Sequence, residues 1–174
     1  MDTCTVNGAV YVLVKLLGKG KGGYSWLAER NGQHYVLKQI HHEPCSYYTF
    51  GNKIESERRD YELLQRAGIR TPRMLDIDLD NERIIKEYID GPTADQLILA
   101  DRLPASCLTQ LRHMADLAHA AGLNIDYYPT NFVLQGDTLY YIDYECNPYC
   151  EEWNLDNWGL QYWSRTEAFR QAFE

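Results

Sequence analysis

From Ala9 to Leu17 the chain is an almost unbroken apolar, β-branched run, suited to a strand. Tyr24 to Glu29 and Gln33 to Ile40 read as two further strands, separated by Asn31-Gly32, the strongest short hairpin signal. The period then changes. Lys53 to Ala67 is rich in helix formers, places Ile54, Tyr61 and Leu64 on one broad face, and stops at Gly68. Met74 to Asp78 and Arg83 to Tyr88 read as strands around the polar turn Leu79-Asp80-Asn81-Glu82. Pro104 to Ala121 is the clearest helix, with Pro in its first turn, Leu108, Leu111, Ala115 and Ala118 at helical spacing, and Gly122 as its stop. Phe132-Val133-Leu134, the turn Gln135-Gly136-Asp137 and Leu139 to Ile142 form another predicted hairpin. From Trp153 onward, Trp158, Tyr162, Trp163, Phe169 and Phe173 recur at spacings that can line one side of a helix, mostly as core.

At 174 residues and 45% hydrophobic composition, the chain can bury a core as one unit of two small lobes, with no room for a second independent domain. Its apolar runs are far shorter than a bilayer crossing needs, and Met1-Asp2-Thr3-Cys4 lacks the basic and apolar regions of a signal peptide. A cytoplasmic protein with no membrane association is expected. The formal charge of -8 argues against general nucleic-acid binding, although Lys15, Lys19 and Lys21 cluster locally. Five cysteines without a CxxC pair are expected to be reduced thiols. His41, His42 and Cys45, or Cys146 with Cys150, could bind a soft metal, but neither group supplies four ligands at zinc spacing.

The chemistry concentrates in Asn124 to Glu145, where Asp126, Asn131 and Asp143 stand in the order a phosphoryl-transfer site needs. Such a reaction demands an aligned hydroxyl and divalent cations against the phosphate charge, and little covalent help. Pro129 suits a rigid loop that holds Asp126 and Asn131 toward one site, and Asp143 ends the hairpin strand, well placed to hold a metal ion. Asp and Asn favour turns for their own reasons, so the N-terminal third decides. There, Gly18, Gly20 and Gly23 form a GxGxxG whose bare backbone can approach phosphate oxygens. A dinucleotide fingerprint would start a helix inside this motif; here strands flank it, and the second strand after the loop ends in Val36-Leu37-Lys38.

On these motifs the chain resembles the protein-kinase-like superfamily over nearly its whole length, in particular its small atypical members of the RIO and tRNA-modification-linked type. The resemblance implies an α+β bilobal fold, with an antiparallel-sheet N-lobe over residues 1–90 and a reduced, mostly helical C-lobe over 91–174. It implies an enzyme, a kinase that uses ATP and Mg2+ and transfers the γ-phosphate to a hydroxyl on an unidentified protein or small-molecule acceptor. Lys38 would contact the α- and β-phosphates and be held by Glu57, with Glu55 and Glu62 as rivals. Lys86 to Gly91 resembles the hinge, so the Glu87 carbonyl and the Ile89 amide would bond the adenine edge. Asp126 would accept or orient the acceptor hydroxyl, Asn131 would bind one magnesium, and Asp143 would bridge metal and phosphates. Asp156 occupies roughly the place of the acidic residue that braces the catalytic loop.

The departures from the eukaryotic pattern matter equally. Asn124 stands where a histidine is usual, Tyr128 replaces a lysine, and Asp143-Tyr144-Glu145 replaces Asp-Phe-Gly. Glu145, an additional metal or supporting ligand, is more like small-molecule kinases of the choline and aminoglycoside type, which makes such a kinase the alternative to a Ser/Thr protein kinase. A nucleotide-binding pseudokinase is a third reading. No Ala-Pro-Glu follows, so control through a phosphorylated activation loop is not expected. His113 and His119 are read as packed or surface histidines.

Overall fold

Two Asn-Gly pairs start the architecture. Asn7-Gly8 has φ of 46° and 84° and Asn31-Gly32 has φ of 52° and 75°, the left-handed pairs that two-residue hairpin turns require. The computed structural model describes residues 1–20, 22–43 and 52–174, so Lys21 and Cys45 lie outside the described residues. The first hairpin joins β1 (Thr3–Val6) to β2 (Ala9–Lys19), and the second joins β3 (Gly23–Arg30) to β4 (Gln33–Ile40). After α1 (Lys53–Ala67), which ends at Gly68 with φ 84°, come β5 (Met74–Asp78) and β6 (Arg83–Glu87). Together they form a six-stranded antiparallel sheet in the order β1-β2-β3-β4-β6-β5. Strand β1 was not expected, although Asn7-Gly8 carries the same turn signal as Asn31-Gly32.

The sheet curls. Asn7, at the β1 end, donates its backbone N–H to Asp78 Oδ2 (3.1 Å) and its amide to Asp76 Oδ1 (2.8 Å) and the Ile77 carbonyl (2.9 Å), all on β5 at the opposite edge. Register shifts between Leu13 and Lys15 and between Leu16 and Gly18 bend β2 in the way bulges do. The curl encloses Val6, Tyr11, Ala28, Leu37 and Ile85, while Ile40, Ile54 and Ile84 form a second small cluster.

The remainder is α2 (Ala94–Leu99), α3 (Ala105–Ala120), β7 (Leu123–Ile125), β8 (Phe132–Gln135), β9 (Thr138–Tyr141), β10 (Cys146–Pro148) and α4 (Glu167–Phe173). Strands β8 and β9 are the expected hairpin, and β7 pairs with β10. Gly91 is dictated by close approach: a Cβ there would lie 2.0 Å from the Leu134 carbonyl oxygen. On α3 the buried stripe is Cys107, Leu111, Met114, Ala115 and Ala118, whereas Leu108 is 42% exposed. The inward face thus keeps Leu111, Ala115 and Ala118 of the expected stripe, with Cys107 and Met114 buried beside them in place of Leu108. The expected aromatic helix after Trp153 is instead two 3₁₀ turns, Glu151–Trp153 and Gly159–Tyr162, followed by the short α4. Asn154 explains the break, since its Oδ1 accepts from Asn157 N–H (2.7 Å) and closes a turn in place of a helix.

The protein is therefore α+β, a six-stranded curled antiparallel sheet plus helices. Two compact units are resolved, Met1–Arg59 with Pro72–Tyr88, and Asp60–Thr71 with Ile89–Glu174. Residues 60–71 group with the second unit, which differs from a division at residue 90: Leu64 and Ile69 are buried among Leu111, Ala118, Phe132 and Tyr141. Among the described residues, no helix is long and apolar enough to cross a membrane.

Candidate phosphoryl-transfer residues

In the first unit, β4 pairing with β3 and β6 fixes Lys38 opposite Ser25 and Ile84. Its ammonium meets Glu57 Oε1 from the first half of α1, and each side chain keeps only 13% of its exposure. The second carboxylate oxygen, Glu57 Oε2, is buried with no hydrogen-bond partner. The rivals are engaged or remote: Glu55 is bonded to Arg58 at 2.6 Å, and Glu62 is exposed. Beside Lys38, a Cβ on Gly23 would lie 2.6 Å from the Gln39 carbonyl oxygen and 3.0 Å from Lys38 Cε, so β3 can pass over β4 only as glycine. Gly18 and Gly20 face open space. The loop is closed by Gly20 N–H donating to Gly23 O (2.9 Å), and His41 Nε2 lies 2.8 Å from Gly20 O. Glu43 binds both Lys19, at 3.0 Å, and the Tyr24 hydroxyl. Glu87 ends β6 with its N–H donating to Arg73 O (2.9 Å) and its Oε1 accepting from Arg73 N–H (3.1 Å). Ile89 belongs to the second unit and is buried.

In the second unit, Asp126 follows β7 and opens the loop that turns through Pro129–Asn131 into β8. Its Oδ1 accepts from Tyr128 N–H (3.1 Å), and Asn131 Nδ2 points back to the Asp126 carbonyl (3.4 Å), which leaves Asn131 Oδ1 as the end able to face a cation. The hairpin carries Asp143 and Glu145 past this loop, and Ile142 N–H donates to Asn131 O (2.9 Å). Asn131, Asp143 and Glu145 are all oxygen donors, the chemistry magnesium prefers. Among the described residues, no three His, Cys, Asp or Glu side chains form a metal-holding cluster; the grouping of His41 and His42 with Cys45 lies partly outside them.

Three residues that hold these loops were not picked from the sequence. Tyr141 is fully buried; its hydroxyl accepts from Asp126 N–H (3.1 Å) and donates to the Glu145 carbonyl (2.8 Å). Burial, and after it the charge of Asp143, push that hydroxyl well above its ordinary 10.0, while the hydrogen bond from the Asp126 N–H works in the opposite direction. Its sequence signal was the alternation of β9, which turns Leu139 and Tyr141 inward, combined with the need of any buried tyrosine for a hydroxyl partner. Trp163 donates Nε1–H to the Tyr127 carbonyl (2.7 Å), and Gly159 lets its turn lie against Tyr127, where a Cβ would come within 2.6 Å of Tyr127 Cβ. Burial raises the Tyr127 hydroxyl to about 12. Asp156, expected to brace this loop, is instead paired with Arg112 of α3 through two bonds of 2.7 and 3.0 Å.

Asn124 is buried and donates to the Cys150 carbonyl (2.8 Å). Tyr128 packs its ring against Tyr162 (5.1 Å), Phe173 (5.3 Å) and Trp158 (6.4 Å). His113 and His119 are exposed, His119 stacking on Tyr149 at 4.0 Å. No protein-family model matches the chain, and no curated protein matches it either.

Proposed function

We propose that this chain is an ATP- and Mg2+-dependent phosphotransferase with a bilobal protein-kinase-like fold, most simply a small atypical Ser/Thr protein kinase. The observation that carries the reading is the Lys38–Glu57 pair, nearly buried beside Gly23, whose glycine identity the packing enforces. A surface Lys-Glu pair contributes little and recurs by chance. One held at 13% exposure, with an unpartnered carboxylate oxygen, is costly to maintain and suits a lysine positioned for phosphate. In the second unit Asp126 would orient the acceptor hydroxyl, while Asn131 and Asp143, with Glu145, would hold magnesium and complete its shell with phosphate oxygens and water. Glu87 and Ile89 would meet the adenine edge through their backbone.

One observation favours a small-molecule acceptor instead. Tyr128, where a phosphate-contacting lysine is usual, lies in a half-exposed aromatic group with Trp158, Tyr162 and Phe173, which suits contact with a compact ligand. The test is incubation with labelled ATP and magnesium, alone and with a generic protein acceptor, for the parent and Asp143→Asn. Label on protein that disappears in the variant supports the protein kinase. Nucleotide binding without protein label supports the small-molecule reading or a pseudokinase, and no nucleotide binding refutes all three.

A further inference from the structure

Among the described residues several buried polar side chains could brace this second unit, and Tyr141 joins the two candidate chemical loops directly. We propose that Tyr141 is a positioning residue, its hydroxyl fixing the loop of Asp126 against the loop of Asp143 and Glu145 so that acceptor and metal groups keep one register. The inference rests on the kinase reading above for its chemical consequence, and on geometry alone for the tether.

The geometry is specific. A hydroxyl has one proton and can both accept and donate. Here it accepts from the Asp126 backbone N–H and gives its proton to the Glu145 backbone carbonyl, at 3.1 and 2.8 Å. Both partners are main-chain groups, so the tether locates the two loops without consuming the carboxylates that would do chemistry. Tyr141 is itself held on several sides: its N–H donates to the Arg70 carbonyl (2.9 Å), it pairs with Phe132 across the hairpin, and its ring packs on Phe132 at 5.2 Å. Asn124, whose amide is committed to Cys150 O, makes no such link. The spacing between a proton acceptor and a metal ligand controls rate steeply, because reacting groups must sit within a few tenths of an ångström of productive geometry.

Tyr141→Phe removes only the hydroxyl and keeps the ring. Amide hydrogen exchange followed by mass spectrometry or NMR should show Asp126 N–H exchanging faster in this variant by about tenfold or more, as expected for loss of one buried hydrogen bond. In the transfer assay the magnesium concentration at half-maximal rate should rise roughly 10- to 100-fold, the usual consequence of loosening a metal ligand's support. KM for ATP should change far less than kcat. Tyr140→Phe, on the other face of β9, serves as the control that leaves both readouts at parental values. Unchanged exchange at Asp126 overturns the tether. Faster exchange, or a lower melting temperature, with unaltered magnesium dependence and kcat makes Tyr141 merely structural and overturns the positioning role. A parent that transfers no phosphoryl group refutes the kinase reading and with it the chemical role, while the exchange result still decides the tether.

Discussion

Removal of one partner from the Lys38–Glu57 pair tests the first unit most directly. Both side chains are 13% exposed and Glu57 Oε2 already has no hydrogen-bond partner. Lys38→Met keeps the side-chain stem beside Gly23 but strips the carboxylate of the ammonium that faces it. Severing a buried pair costs about 3–5 kcal/mol; the residual exposure places this pair at the lower end, near 3 kcal/mol. In a chain of this length each kcal/mol moves the melting temperature by about 2–4 °C, so the variant should melt about 6–12 °C lower. The double variant Lys38→Met with Glu57→Leu removes both charges of the pair and should recover most of that loss. Urea unfolding of the parent, both single variants and the double variant gives the coupling energy. Nucleotide adds a second readout: ATP and magnesium at a hundredfold excess over Kd should stabilise the parent by about 2.7 kcal/mol and the Lys38 variant by almost nothing. A coupling below about 0.5 kcal/mol, indistinguishable from independent sites, refutes the structural half of this reasoning. Equal protection of parent and Lys38→Met by ATP refutes the functional half.

Asp126→Asn should bind nucleotide as the parent does and lose roughly 10²–10⁴ in kcat, measured by steady-state transfer with nucleotide affinity determined separately; parental turnover would exclude Asp126 as the base. Gly159→Ala forces a methyl to within 2.6 Å of Tyr127 Cβ and 3.0 Å of Leu155 Cδ1, and should destabilise by about 1–3 kcal/mol in denaturant titration. Gly18→Ala and Gly20→Ala, which meet nothing within 4 Å, should leave stability unchanged and weaken nucleotide binding only. Asp78 is held below its ordinary 3.8, first by the Asn81 side chain and then by the Asn7 and Asn81 backbone amides. With the folded value depressed, its contribution is complete above the ordinary value and lost as pH falls through the folded one. Asp78→Asn should therefore flatten the acid limb of a stability profile as pH falls through and below the ordinary 3.8.

Local chemistry made much of this readable. Asn31-Gly32 admits one kind of turn, and Gly68 and Gly122, with φ of 84° and 73°, end their helices where the sequence places the stops. Lys53–Ala67 was bounded correctly because its period and its stop agree. What escaped was set by tertiary contact. Asn154, Asp156 and Asn157 carried no periodic signal strong enough to override the aromatic spacing around them, yet one Asx turn cancels the helix. Asp156 could be placed near the Asp126 loop by analogy, but the partner it finds, Arg112, depends on how α3 is rotated about its axis. The expected inward stripe holds at Leu111, Ala115 and Ala118 and fails only at Leu108, which is exposed while Cys107 is buried. Trp163 and Tyr141 read as core aromatics; only folding reveals which backbone groups their polar ends reach.

The charge balance around Asp126 has a consequence for the kinase reading. A lysine two residues after the catalytic aspartate would supply a fixed cation to the transferring phosphate; Tyr128 supplies none, and its hydroxyl is itself raised, first by burial and then by Tyr162, Asp95 and Asp126. Asp126, Asp143 and Glu145 all act electrostatically on Tyr141 in the same way. Adding phosphate oxygens to such a surrounding is unfavourable unless positive charge arrives with them, and in this unit the groups able to recruit it are the oxygen donors Asn131, Asp143 and Glu145. Magnesium would then carry charge that a lysine shares in larger kinases. Restoring the cation with Tyr128→Lys should lower the magnesium requirement of the parent, and an unchanged requirement would mean that Tyr128 does not face the transferring phosphate at all.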